Sequence, residues 1–170
     1  MPIVGIEYAL GDEPMTIADA GLRRIVQDNL SKGDGWLWTA VETGGTHAGV
    51  PDSFWAHEPT QTSGWVEHKA TSGWAVTMRP HQIAWMERHA RAGVRCHILV
   101  RAMGSGSAKK KGDSLWVIDG AAARHLAGVG LGDLPDGAVL GYWAGGPSDW
   151  DWGLVRKILT GWTGGGKRDT

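Results

Sequence analysis

The chain has 170 residues, enough for one domain with a real core and a small appendage. Its 17 basic and 18 acidic side chains nearly balance, which excludes a uniformly basic nucleic-acid binder but leaves room for a local basic patch. The lone Cys96 excludes an internal disulfide and a cysteine-based zinc cluster, and no stretch reaches the roughly 20 apolar residues that span a bilayer.

The start, MPIVGIEYALGDEPM, lacks a basic segment and carries acids early, so it does not read as a signal peptide. TIADAGLRRIVQDNLSKG predicts a first helix, with Thr16 as its cap and Leu22, Ile25, Val26 and Leu30 as its apolar stripe. GWLWTAVE alternates as a strand ending at Glu42, and TGGTHAGVP is a glycine-rich loop. DSFWAH and WVEHKAT predict two strands of a hairpin, joined by the turn-forming EPTQTSG. MRPHQIAWMERHARAG predicts a second helix with Pro80 in its first turn, Gly93 past its end, and Ile83, Met86 and Ala90 on its buried side.

VRCHILVRA is dense enough in apolar residues for a central strand covered on both faces. A polar, basic loop, MGSGSAKKKGD, leads to the strand SLWVID and a short helix around GAAARHLAG. Residues 128–147 are rich in Gly and Pro and carry no clear element. SDWDWGLVRKILTGW predicts a last helix capped by Ser148, and GGGKRDT reads as a loose tail. The strand–helix–strand unit from Trp65 to Arg101 implies a parallel crossover, so the sheet is expected to be mixed. A division follows between 1–127, the core with an extra strand and short helix, and 128–170, a C-terminal extension with one helix.

Tryptophan dominates the aromatics, with 11 Trp against 2 Tyr and 1 Phe. Trp36, Trp38, Trp65 and Trp116 fall at period-two positions in strands, which favours a core role for most of them over stacking on bases or sugars.

The unusual feature is polar. Asp52 opens one hairpin strand, and Glu67-His68-Lys69 interrupts the next. Side chains alternate along a strand, so Glu67 and Lys69 share a face and His68 takes the other. If Asp52 lies beside Glu67, two carboxylates and an ammonium converge. Such carboxylates repel unless a cation sits between them, and hard oxygen donors suit Mg²⁺ or Mn²⁺. The ordinary alternative is a turn aspartate and a surface Glu–Lys pair, which contributes under about 1 kcal/mol.

GVPDSFWAHEPTQTSGWVEHKAT resembles the core motif of the PD-(D/E)XK nuclease superfamily, in which an Asp opens one strand of a hairpin and an acidic-x-Lys sequence lies on the next. The glycine-rich turn before it and the helix RPHQIAWMERHARAG after it are similar too. The likeness is closest to small phage-type and archaeal-type members, among them Holliday junction resolvases and VRR-NUC nucleases, and covers residues 16–101. It implies an α/β, restriction-endonuclease-like core: a mixed central sheet flanked by helices in the order αβββαβ, with C-terminal additions. It also implies a Mg²⁺-dependent endodeoxyribonuclease, with Mn²⁺ as substitute. Asp52 and Glu67 become metal ligands, the His68 carbonyl a backbone ligand, and Lys69 the catalytic lysine.

Members often add an acid from the first helix. Asp19 and Asp28 are the residues available there, and Glu42, just before the glycine turn, is favoured as the third acid and metal ligand. Gln82 matches a glutamine that relatives aim at the site, with a solvated first-turn residue as the alternative. His47 is an expected phosphate contact or proton donor. Arg79, Lys109, Lys110 and Lys111 are expected DNA contacts, alongside a wider set of Arg88, Arg91, Arg95, Arg101, Lys167 and Arg168. His81 and His89 have no third ligand for zinc.

The expected partner is branched or junction DNA, with no membrane involved, in the cytoplasm of a bacterial, archaeal or phage-infected cell. Symmetric cutting implies a homodimer, for which Trp143, Trp150, Trp152 and Trp162 offer either an apolar interface or simply more core. Alternatives are a sequence-specific or repair nuclease on the same core, an inactive nucleic-acid-binding module, and a Trp-rich carbohydrate or protein platform.

Overall fold

The computed structural model describes residues 19–32, 35–41, 48–104 and 112–161. Its elements follow the expected order: α1 (Leu22–Leu30), β1 (Trp36–Ala40), β2 (Ser53–His57), β3 (Thr62–Thr71), α2 (Pro80–Arg91) and β4 (Arg95–Ala102). Then come β5 (Ser114–Asp119), a 3₁₀ turn at Gly120–Ala122, α3 (Ala123–Val129), β6 (Val139–Ala144) and α4 (Trp152–Thr160). The six strands form one open sheet in sequence order. β1, β2 and β3 pair antiparallel, β3 and β4 pair parallel across the α2 crossover, and β5 and β6 return to antiparallel pairing. The sheet is therefore mixed, as the crossover required.

Each face of the sheet carries its own core. On one face, Leu22, Val26 and Leu30 of α1 and Val155 and Leu159 of α4 close over Trp36, Trp55, Val66, Leu99, Leu115 and Val117. On the other, Met86 of α2 and Ala123 and Leu126 of α3 cover Cys96, Ile98, Val100 and Ile118. β4 is thus apolar on both sides, the pattern of a strand covered by helices front and back. Most of the described tryptophans are core residues. Trp55 and Trp150 are buried, and Trp38, Trp65, Trp85, Trp116, Trp143 and Trp152 pack against the two clusters.

Three local readings change. Residues 16–18 lie outside the described residues, and α1 begins at Leu22. Ala20 and Gly21 both adopt positive φ (48° and 74°), a left-handed pair that no α-helix continues through. α4 is capped by Asp151, whose carboxylate accepts the Leu154 amide at 2.9 Å, and not by Ser148, which precedes the turn. Residues 139–144, unassigned by pattern, form β6. Its register breaks between Val117 and Ile118 of the partner strand, and a Gly at 141 dilutes its alternation. Trp162 and the tail lie outside the described residues.

His97 of β4 is buried, beside Asp119 and near Ile158 and Leu159 of α4. Burial pushes the His97 imidazole down to about 4, with Asp119 opposing the shift and Arg95 adding to it. The unfolded chain takes up this proton near pH 6.5 and the folded chain does not, so stability falls as pH drops from 6.5 to about 4. The loss is on the order of 3 kcal/mol. His97→Leu should flatten that part of the stability curve, measured by urea unfolding at stepped pH. An unchanged slope would show that His97 does not set it.

Candidate active site

The site arises where two ladders end at different points. β2 stays paired to β3 only as far as Ser53 opposite Val66, whereas β3 runs on beside β4 to Thr71. Past Val66, one edge of β3 therefore faces a gap, and Asp52 enters it. The Asp52 carbonyl accepts the Val41 amide at 2.8 Å, which ties this residue to the β1 side of the opening. Gly49 brings the chain in. Its φ is +92°, and a Cβ there would strike the backbone of His81 in the first turn of α2. Only glycine lets this loop lie so close to the helix that carries Gln82.

Glu67 and Lys69 lie on the α2 face of β3, as period two demands. Lys69 Nζ lies 2.9 Å from Glu67 Oε1, with 15% of the lysine and 5% of the glutamate side chain exposed. Gln82 bridges them: its Nε2 donates to Glu67 Oε1 at 2.5 Å and its Oε1 accepts Lys69 Nζ at 3.1 Å. The same Oε1 accepts the Arg79 amide at 3.0 Å, so Gln82 also closes the start of α2. Glu67 Oε2 accepts the Asp52 amide at 3.3 Å.

Asp52 is held from the other face. Its Oδ2 accepts the His68 amide at 3.1 Å, and its Oδ1 accepts the Ser53 hydroxyl at 3.1 Å and lies 2.5 Å from His68 Nδ1. The His68 ring is fully buried and sits 6.0 Å from the Trp38 ring. The N–H and C=O of one strand residue point to the same side, so the His68 carbonyl faces the gap beside Asp52.

The electrostatics of the two acids diverge. Burial pushes the Asp52 carboxyl up, but electrostatic attraction to His68 and the hydrogen bonds with its ring and amide, helped by Ser53, bring it below the usual aspartate value. Burial, and then the neighbouring Asp52 charge, hold Glu67 above the usual glutamate value despite Lys69 and His68. Two carboxylates that repel at the bottom of a gap, next to a strand carbonyl, fit a divalent cation by the chemistry of their donors. The residues that would hold it are Asp52, Glu67 and the His68 carbonyl.

The structure therefore brings together Asp52, Glu67, His68, Lys69 and Gln82. Glu42, His47, Lys109, Lys110 and Lys111 lie outside the described residues, as do Lys167 and Arg168. Among the described residues no group of three or more His, Cys, Asp or Glu side chains gathers in metal-holding geometry, so the acids that meet are Asp52 and Glu67. Asp19 and Asp28 do not join them: Asp19 accepts the Gly21 amide, and Asp28 faces Arg24 on the surface of α1. Arg79 is exposed beside the site, but Arg101 is committed to a two-pronged pair with Asp113 (2.8 and 2.6 Å) and is not a free phosphate contact. Trp150 is buried in the core of this chain, and Trp143 and Trp152 pack partly buried against it.

Sequence reasoning missed the His68 side chain, to which it assigned only a backbone role. The alternation that sets its ring on the far face was legible. That Asp52 reaches around the strand edge to meet it was not.

Comparison of the chain with protein-family models, with curated proteins and with solved structures finds no match.

Gln82→Ala should remove three hydrogen bonds at once and leave Lys69 with a single partner. The expected cost is about 2 kcal/mol in chemical denaturation. A change below about 0.5 kcal/mol would mean that Gln82 is an ordinary solvated residue.

Proposed function

We propose that the protein is a divalent-metal-dependent DNA endonuclease of PD-(D/E)XK type, acting on branched DNA. The observation that carries this reading is the edge of β3 at the end of the β2–β3 ladder: Glu67 is paired with Lys69 and Gln82 on the α2 face and takes the Asp52 amide on its other oxygen, while the neighbouring Asp52 carboxylate is fixed by the His68 amide and ring. The αβββαβ order, with both acids before the crossover helix, supports it. So does the Glu67 carboxyl, raised by burial and then by the Asp52 charge, because a cation bound there would offset both.

When bound, Mg²⁺ neutralises charge on the scissile phosphate and lowers the pKa of a water molecule. The chain's own residues do the rest. His68 and Ser53 fix the orientation of the Asp52 carboxylate. Gln82 and Lys69 hold one oxygen of Glu67, leaving the other turned toward Asp52. The Lys69 ammonium, partly exposed at the mouth, is placed to orient a nucleophilic water or to meet negative charge on the pentavalent phosphorus. Arg79 adds an exposed cation at the start of α2. Cutting two strands of a junction symmetrically requires two such sites, hence a homodimer.

The test is cleavage of four-way junction, flapped, single-stranded and duplex DNA in Mg²⁺ or Mn²⁺. Wild type should cut, and Asp52→Asn, Glu67→Gln and Lys69→Ala should each lose at least about 100-fold in rate. Equal activity of wild type and Asp52→Asn would reject this active site, and cleavage by neither would favour a binding module.

Divalent ions should also raise the melting temperature of wild type and not of Glu67→Gln. Protons compete for Glu67 above the usual glutamate range, so the shift should grow as pH rises from about 4.5 toward neutrality. A shift independent of pH, or retained in Glu67→Gln, would place the ion elsewhere. His68→Ala, which frees the Asp52 carboxylate, should weaken Mn²⁺ binding by about 10- to 100-fold.

A further inference from the structure

Three aromatic rings outside the site form a continuous row on the same face of the sheet. Trp74, in the segment joining β3 to α2, is the most exposed large apolar residue described, at 63%. Its ring lies 6.2 Å from that of Trp116 on β5, nearly perpendicular, and Trp116 lies 4.6 Å from Tyr142 on β6, which is 51% exposed. The rings are inclined to one another at 80° and 57°, so none covers its neighbour's whole face.

The row is held in place. Trp116 Nε1 donates to the Ser114 hydroxyl at 3.1 Å, and the Trp74 carbonyl accepts the Leu131 amide at 2.9 Å. Leaving an indole this open forgoes about 2 kcal/mol of burial, while Trp36, Trp55 and Trp150 fill one core and Trp65 and Trp85 pack against the other.

Register ties the row to the candidate site. Lys69 pairs with Val100, Val100 with Trp116, and Trp116 with Tyr142. Directly paired residues share a face, so Lys69, Trp116 and Tyr142 stand in one line across the sheet. At about 4.8 Å per strand, Trp116 is two strands, or about 10 Å, from the lysine's strand. The chain itself makes a second link: Trp74 lies between Lys69 and the exposed Arg79, on the segment that leads to Gln82.

We propose that Trp74, Trp116 and Tyr142 form a shelf on which unpaired nucleobases of the substrate stack while its phosphate lies at Lys69. The inference rests on the nuclease reading for where the bond is cut, and it names the substrate class: DNA with a single-stranded segment next to the cleaved bond. A perfectly paired duplex keeps its bases stacked on each other and offers the shelf nothing. Stacking on an aromatic ring contributes about 1–3 kcal/mol per base with little sequence preference, so the shelf selects for structure and not for sequence.

The experiment measures binding of the full chain in EDTA, where no cleavage interferes. The probes are a fluorescent oligothymidylate of about 16 nucleotides and a duplex of the same length, read by anisotropy and by quenching of tryptophan emission. Wild type should prefer the oligothymidylate. Trp74→Ala and Tyr142→Ala, both at exposed positions, should each weaken that complex by about 10-fold and leave duplex affinity within about twofold. Trp74→Phe should keep most of the binding.

Equal losses on both probes, or no loss on either, would overturn the shelf. So would a wild-type dimer that Trp74→Ala or Tyr142→Ala converts to monomer with oligothymidylate affinity unchanged, since the rings would then belong to a second copy. Failure of the nuclease reading looks different: no metal-dependent cleavage of any substrate, with aromatic-dependent binding of the oligothymidylate intact.

Discussion

Glu67 is a carboxylate buried on the strand next to the sheet's most covered one, with a second carboxylate at its side, and the surrounding architecture answers to that burden. An acid in such a place survives only if donors satisfy its oxygens. Lys69 and Gln82 supply them on one face, and the Asp52 amide supplies one from the gap. Asp52 in turn turns its own carboxylate away, toward the amide and ring of His68. The two acids thus stay close without facing each other fully. Only the one with imidazole support drops below its ordinary pKa, and the other rises.

This arrangement needs a rigid frame, and the sheet provides it. β3 and β4 are parallel and covered on both sides, so the strand bearing Glu67 and Lys69 cannot slide without moving two cores at once. α2 is fixed to the same frame by Met86, and Gly49 lets the incoming loop rest on its first turn. Gln82 serves the helix and the site together, because one of its oxygens takes both the Arg79 amide and the lysine.

The cations are divided between structure and surface. Arg101 and Arg124 are taken up by Asp113 and Glu87, while Lys69 and Arg79 are the described ones that border the gap. Among the described residues few cations border the gap, so on the proposed nuclease reading the polyanion would need a second kind of contact. The proposed aromatic shelf, which shares the Lys69 register, would be such a contact.

The order of helices and strands, β6 apart, was legible in the residues, because each of those elements announces itself within a short window. SLWVID could be read to the residue, and the alternation that puts Glu67 and Lys69 on one face is a property of a single strand. The start of α1 and the cap of α4 were misplaced because Ala20 adopts a left-handed backbone that its side chain does not advertise, and Asp151 competed with Ser148 for the same role. β6 stayed hidden because its pairing with β5 is irregular and Gly141 interrupts its pattern. Which groups meet was decided by non-local pairing alone. Asp52 reaches His68 because the β2–β3 ladder stops at Val66, and Trp116 lies in line with Lys69 because β3, β4 and β5 share one register. Periodicity along a chain sets the direction of each side chain, but where a ladder ends, and what then faces the opening, depends on contacts between segments far apart in sequence.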